Sequence, residues 1–113
     1  MVSPARGEIW LVDLDPTRGH EQAGKRPCLV VSVDAFNQGS AGLVVVAPLT
    51  SKAKAQRFHV PITPPEAGLR VQSYIKCEDI RSVSIHRFSQ HWGFVTPATI
   101  HLVEDRFRIL LGL

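Results

Sequence analysis

The sequence predicts a single small domain of mainly β structure: a β-barrel with short helical additions and one C-terminal α-helix. Three observations support this prediction. The first half of the chain holds continuous apolar runs rich in β-branched residues, which are typical of strands buried on both sides. Turn-forming residues separate these runs, and helical periodicity appears only near the C-terminus. The length of 113 residues fits one domain.

Three long strands are predicted in the first half. The first covers residues 8–14 and ends before Pro16, which cannot donate a backbone hydrogen bond. The second covers residues 28–33, with Pro27 at its start, where a proline is tolerated. The third covers residues 43–49. All three are apolar at successive positions, so we expect them to be buried on both faces.

The second half predicts shorter strands. A fourth strand covers residues 56–61, and residues 63–68 form a turn rich in Pro and Gly. Residues 70–76 alternate, which places Val71, Ser73 and Ile75 on one face, and this strand is expected to continue to about Val83. Residues 91–95 form a last short strand.

The C-terminus changes to a helical period. Its apolar residues recur at helical spacing at Ile100, Val103, Phe107, Leu110 and Leu111. Thr96 can cap the helix and Pro97 suits its first turn. The sequence therefore predicts an amphipathic helix from about Pro97 to Leu111, packed on a strongly bent sheet.

Composition excludes several classes of protein. The net charge of +3 is compatible with a polyanionic partner without requiring one. Cys28 and Cys77 lack Cys or His neighbours at zinc-ligand spacing, so they are interpreted as buried thiols, and no metal or cofactor is expected. No apolar run approaches the roughly 18 residues of a membrane span, and the N-terminus lacks an apolar signal core. The expected location is the cytoplasm.

One connection is too long for a simple turn. Residues 15–25 join the first two strands, whereas most connections have about 2 to 6 residues. The loop and its end contain Arg18, His20, Glu21, Lys25 and Arg26. Long ordered loops often carry function, although a solvated surface loop has the same composition.

Two further polar clusters follow strands. Residues 50–54 combine two hydroxyl and two ammonium groups, which suit phosphate oxygens. Residues 76–81 place two cations and two carboxylates close together, a pattern that surface ion pairs also produce. Each cluster is a weak signal when taken alone.

Together these segments resemble a known family. Residues 6–27 read RGEIWLVDLDPTRGHEQAGKRP, which is similar to the opening motif of the MazF/PemK/Kid toxins. The later pieces PLTS (residues 48–51) and CEDIR (residues 77–81) follow in the order of that family. The resemblance spans nearly the whole chain and implies one toxin domain over residues 1–113. His20 favours the PemK/Kid branch.

The resemblance implies an SH3-like barrel that forms a homodimer. It implies a sequence-selective endoribonuclease, or mRNA interferase, that cuts single-stranded RNA without a metal. The products are a 2′,3′-cyclic phosphate and a 5′-hydroxyl. It also implies a type II toxin–antitoxin pair, in which a cognate antitoxin inhibits the toxin through an acidic, disordered segment attracted to the basic surface.

The chemistry requires a base for the 2′-hydroxyl, an acid for the leaving oxygen and donors for the phosphate. Arg26 and Thr50 are the catalytic pair that MazF-like members imply. His20, Lys76 and Glu78 match positions that PemK/Kid-like members use, but Lys76 replaces an Arg and Glu78 replaces an Asp. The acid and base assignments therefore stay open among His20, Lys76 and Glu78.

The remaining candidates are RNA contacts and structural residues. RNA binding is assigned to the polar residues around these positions: Arg18, Gln22, Lys25, Ser51, Lys52 and Lys54. Trp10 and Trp92 are interpreted as core or dimer contacts, whereas Tyr74 and Phe36 fit core packing and base stacking equally. The other histidines are interpreted as structural or surface residues: His59, His86, His91 and His101.

Two other function classes compete with the ribonuclease. One is a non-enzymatic toxin on the same fold, such as the CcdB-like gyrase poisons, which bind a protein target. The other is an inactive RNA-binding module. The combination of Arg26, Thr50 and His20 favours the ribonuclease, because a gyrase-binding protein does not need it.

Overall fold

The computed structural model of the chain describes residues 2–15, 19 and 24–113. It confirms the predicted fold class, a mainly β, SH3-like domain with a C-terminal helix. The strands are β1 (Glu8–Asp13), β2 (Lys25–Val30), β3 (Leu43–Thr50), β4 (His59–Ile62), β5 (Ser73–Lys76), β6 (Arg81–Ser84) and β7 (Phe88–Phe94). The α-helices are α1 (Asp34–Asn37) and α2 (Pro97–Leu111), and three-residue 3₁₀ turns lie at Glu66–Gly68, Cys77–Asp79 and Ile85–Arg87.

The strands form one bent antiparallel sheet around β3. The order is β4-β5-β3-β2-β1-β7, and β6 also pairs with β3. Residues 43–46 of β3 pair with β6, whereas residues 49–50 pair with β5. Two strands, β5 and β6, therefore pair with different parts of the same edge of β3. Because these two strands diverge, the sheet bends. Within the described ranges no ladder joins β4 to β7, so hydrogen bonds do not close the barrel.

The three long strands are buried on both faces, as predicted. Along β1, Ile9 belongs to one apolar cluster and Trp10 to the other. Along β2, Leu29 belongs to the first cluster and its neighbours Cys28 and Val30 to the second. Because successive side chains of a strand point to opposite faces, apolar residues at every position fill both layers.

Helix α2 begins and ends where the sequence places it. The Thr96 hydroxyl accepts a hydrogen bond from the Thr99 amide, Pro97 follows in the first turn, and Gly112 ends the helix with φ 70°. Val103 is buried in the first cluster, and Ile100 and Phe107 pack against it. Leu111 is 55% exposed, so the predicted apolar face ends before the last turn. No helix in the described part of the chain is long and apolar enough to cross a bilayer.

The strand expected from residue 70 to about Val83 was wrong: it is two strands with a 3₁₀ turn between them. Leu49 pairs with Ile75, and Val46 pairs with Arg81. A step of three residues along β3 is therefore matched by a step of six residues from Ile75 to Arg81. The three extra residues are the turn Cys77–Asp79. This change of register lets the chain move from one half of the β3 edge to the other.

Other strand limits also differ from the predictions. β2 begins at Lys25, before Pro27, because its first residues pair with β1 and its ladder to β3 starts only at Cys28. Pro27 therefore lies within the strand where pairing to β3 is not required. β4 begins three residues later than expected, at His59, and β7 begins earlier, at Phe88.

Candidate active site

A groove of about 1310 Å³ lies where several strands begin or end. Antiparallel pairing produces this convergence, because the start of one strand meets the end of its neighbour. Thr50 at the end of β3 pairs with Tyr74 near the start of β5, and His59 at the start of β4 pairs with Lys76 at the end of β5. Side chains that are far apart in sequence therefore line one surface.

Seven of the predicted site residues line this groove: Arg26, Thr50, Ser51, Lys52, Lys54, Lys76 and Glu78. Three others, Arg18, His20 and Gln22, lie outside the described residues. The structure thus brings together most of the predicted site residues that it describes, from three separate segments of the chain.

Lys25 is the exception, and its prediction as an RNA contact is not supported by its position. It lines a separate depression beside Asp13, His86 and Arg87. The reason is the alternation of side chains along β2, which directs Lys25 and Arg26 to opposite faces. The two cations are adjacent in sequence, but only Arg26 reaches the groove.

Arg26 and Thr50 occupy neighbouring strand ends. The last pair between β2 and β3 is Cys28 with Pro48, and continuing this register by two residues places Arg26 opposite Thr50. The Thr50 hydroxyl oxygen accepts a hydrogen bond from the Lys52 amide at 3.2 Å. Its hydrogen remains available to donate. A guanidinium and a hydroxyl donor side by side suit the oxygens of a phosphate.

The 3₁₀ turn between β5 and β6 supplies two carboxylates with different partners. The Asp79 carboxylate lies 2.7 Å from the Arg81 guanidinium and 3.6 Å from Lys76 Nζ. The Glu78 carboxylate instead hydrogen-bonds His59 Nε2 at 2.8 Å. Among the groove-lining residues that the structure describes there are five cations, Arg26, Lys52, Lys54, Arg70 and Lys76, against these two carboxylates. The groove is therefore positively charged overall.

His59 is the main site residue that sequence reasoning missed. Only 5% of its side chain is exposed, and it was interpreted as structural or surface. The sequence offers no local signal, because the partner Glu78 is 19 residues away and the pairing depends on β4 lying beside β5. A single histidine at an inward strand position is more often a structural residue than part of a functional site.

Sequence reasoning also missed another part of the groove lining. It includes Arg70 together with Gln90, His91 and Trp92 of β7. His91 Nε2 lies 3.1 Å from the carboxylate of Glu8, which is buried and also accepts from Trp10 Nε1 at 2.9 Å. Trp10 is a core residue as predicted, whereas Trp92 is 36% exposed and forms part of the groove surface.

The two cysteines take no part in this surface. Both are buried and unpaired by disulfides, as expected. Burial raises the pKa of the Cys28 thiol and of the Cys77 thiol to about 12, and the nearby Glu78 charge adds to the effect on Cys77. Both therefore stay protonated near neutral pH and are poor nucleophiles. Among the residues with described positions, no three His, Cys, Asp or Glu side chains are grouped as metal ligands.

Comparison with known proteins identifies the family. The sequence model for the PemK-like, MazF-like toxin of type II toxin-antitoxin systems matches residues 5–111. The chain belongs to this family. It is 37% identical to the endoribonuclease MazF9 of Mycobacterium tuberculosis over 113 residues, covering 96% of each chain.

Two solved structures have the same fold. The crystal structure of MazF from Deinococcus radiodurans has a TM-score of 0.87 and 31% identity, with complete coverage of both chains. An endoribonuclease from a mycobacterial species, solved in complex with its cognate antitoxin, has a TM-score of 0.78 and 26% identity, covering 100% of this chain and 97% of that one. The similarity therefore includes all of the strands that build the groove.

Proposed function

We propose that this chain is a toxin endoribonuclease that cuts single-stranded RNA in the groove described above, without a metal ion. The products are a 2′,3′-cyclic phosphate and a 5′-hydroxyl. The chain is the toxin of a type II toxin–antitoxin pair and acts in the cytoplasm as a homodimer. Its whole length, 1–113, forms the toxin domain.

One observation carries this proposal: a cationic groove in which a guanidinium, two hydroxyls and a carboxylate from separate segments face the same space. Cations and hydroxyl donors bind phosphates along a strand of RNA. The carboxylate can move a proton. RNA supplies its own nucleophile, the 2′-hydroxyl, so these groups need only an acid for the leaving 5′-oxygen to complete cleavage by transesterification.

The roles follow from the chemistry. Glu78 accepts the proton of the 2′-hydroxyl, and the resulting oxyanion attacks phosphorus. The bond from phosphorus to the 5′-oxygen breaks, and that oxygen takes a proton from His20 or Lys76. Arg26 and Thr50 donate to the non-bridging oxygens, whose charge grows in the transition state. Ser51, Lys52 and Lys54, with Arg18 and Gln22 from the loop, bind the flanking RNA.

An RNA cleavage assay in excess chelator, with DNA gyrase supercoiling measured in parallel, tests the proposal. The ribonuclease cuts the RNA and leaves supercoiling unaffected. If RNA stays intact while supercoiling stops, the chain is instead a gyrase poison. If RNA is bound but never cut, it is an RNA-binding module.

The salt dependence of RNA binding tests the groove separately from chemistry. For single-stranded RNA, log affinity falls with log salt concentration, and each phosphate contact contributes about 0.7 to the steepness of that fall. We expect Lys54→Ala to make the fall shallower by about that amount, because Lys54 lines the groove. Fluorescence anisotropy with an uncleavable 2′-deoxy RNA measures it. An unchanged slope would show that Lys54 does not contact an RNA phosphate.

The antitoxin is proposed to cover the same groove. The mycobacterial relative, solved in complex with its cognate antitoxin, supports the existence of such a partner. An acidic, disordered segment complements the five groove cations, and its affinity should fall as salt rises. Competition between antitoxin peptide and RNA is expected; simultaneous binding of both at saturation would contradict the shared site.

A further inference from the structure

The pair formed by buried His59 and half-buried Glu78 is the feature that the proposed function leaves unexplained. His59 Nε2 and Glu78 Oε2 lie 2.8 Å apart, with 5% and 27% of the two side chains exposed. Because an ionised carboxylate only accepts hydrogen bonds, Nε2 is the donor in that state. The hydrogen bond to an ionised Glu78 therefore requires a proton on His59 Nε2.

The pair is held by the fold. His59 is the first residue of β4, and it pairs with Lys76, the last residue of β5. The chain then enters the 3₁₀ turn Cys77–Asp79, whose three extra residues place Glu78 beside the start of β4. The same turn that changes the register of the sheet thus presents the carboxylate to the histidine.

His59 is also the partner on which Glu78 depends. The cations of this region, Lys76 and Arg81, contact Asp79. Across the part of the chain that the structure describes, Glu78 has no other hydrogen bond or ion pair, and its Oε1 is buried without a partner. His59 Nδ1 is likewise buried and unpartnered.

Burying two polar atoms without hydrogen-bond partners in the described part of the chain is unfavourable for stability, because each atom has lost its contact with water. Two apolar side chains in these places would avoid that cost. Each such exception in a native structure requires an explanation, and a catalytic role is one of them. A polar pair kept on the wall of a cationic groove is therefore better explained by chemistry than by packing.

We propose that His59 is a positioning residue: it holds the Glu78 carboxylate in the orientation needed to accept a proton from RNA. The inference rests on the proposed function, in which Glu78 is the base. His59 itself does not contact the reacting atoms. It acts by donating to one lone pair of Oε2, which leaves the other lone pair of that oxygen to take the proton, since Oε1 is buried.

Single-turnover cleavage at saturating toxin tests this. We expect His59→Phe, which keeps a ring and loses the donor, to reduce the rate about 10- to 100-fold, the usual scale for a misplaced catalytic group. His59→Gln should recover most of the rate, since its amide can donate to Glu78. The affinity of both variants for the uncleavable 2′-deoxy RNA should stay unchanged, because His59 orients the Glu78 carboxylate and does not itself hold the RNA.

A double-mutant cycle tests whether His59 affects the cleavage rate through Glu78. If His59 acts through Glu78, then His59→Phe combined with Glu78→Gln is no slower than the slower single variant. Losses that multiply would overturn the inference, as would a stable His59→Phe that cuts within threefold of wild type. His101→Phe is the matched control, since His101 forms an exposed pair with Glu104 on α2 and should cut normally.

A second measurement covers the case in which His59→Phe does not fold. The ¹⁵N shifts of the His59 ring in wild type and in Glu78→Gln report the hydrogen bond directly. They must differ if the pair exists in solution, and identical shifts would overturn the inference. Failure of the proposed function is distinguishable, because wild type would then cut no RNA.

Discussion

Replacing Arg26 by alanine is expected to reduce RNA cleavage about 100- to 1,000-fold, the usual effect of removing one donor to a developing oxyanion. The residue lies at the start of β2, one position before Pro27, and its side chain lines the groove close to the end of β3. Because β2 pairs with β1 at this residue, the guanidinium is carried on ordered backbone. Single-turnover cleavage of a short RNA measures the loss.

Two matched variants decide what Arg26 contributes. Arg26→Lys should recover little activity, because an ammonium cannot make the bidentate contact of a guanidinium. Lys25→Ala removes a neighbouring cation that lies on the other face of the strand, so it should cut like wild type. If Arg26→Ala melts like wild type and cuts within about threefold, roughly 0.7 kcal/mol, then Arg26 is a surface cation and the site is wrong.

Truncating Ile75 is expected to produce the largest loss of stability among single changes near the groove. Ile75 is fully buried in the first apolar cluster, and it pairs with both Leu49 and Val60. Ile75→Ala should lower the free energy of unfolding by about 2–5 kcal/mol, through lost burial and the cavity left behind. Urea denaturation followed by circular dichroism, at fixed protein concentration, measures it.

Val71 provides the comparison within the same segment. Simple alternation puts Val71 and Ile75 on one face, but Val71 is 59% exposed and precedes β5. Val71→Ala should therefore change stability by no more than about 0.5 kcal/mol. Equal losses of unfolding free energy in the two variants would show that the strand begins at residue 70 or earlier, as alternation alone predicts.

Local signals were sufficient for the helix and the long strands. Thr96, Pro97 and the apolar spacing around Val103 define α2 because capping and amphipathic packing are encoded within a few residues. The continuous apolar runs of β1 and β3 indicate burial on both faces, since no polar face remains for water. The family resemblance identified Arg26 and Thr50, which the structure places on neighbouring strand ends.

Features that depend on strand pairing were not predictable in this way. The break between β5 and β6 arises from a three-residue change in register against β3, and the segment itself carries no Gly or Pro to indicate it. The His59–Glu78 bond depends on the same turn and on β4 lying beside β5. Likewise, the sequence predicts Lys25 as an RNA contact next to Arg26, because adjacency in sequence does not reveal that the two side chains lie on opposite faces of β2.

The identity of the nucleophile tests the central claim most directly. An RNA whose cleavage position has been mapped is compared with the same RNA carrying one 2′-deoxy nucleotide on the 5′ side of that bond, both in excess chelator. We predict that the first gives a 2′,3′-cyclic phosphate and a 5′-hydroxyl, and that the second stays intact at that bond. Cleavage of the 2′-deoxy RNA, or products with a 5′-phosphate, would contradict the mechanism.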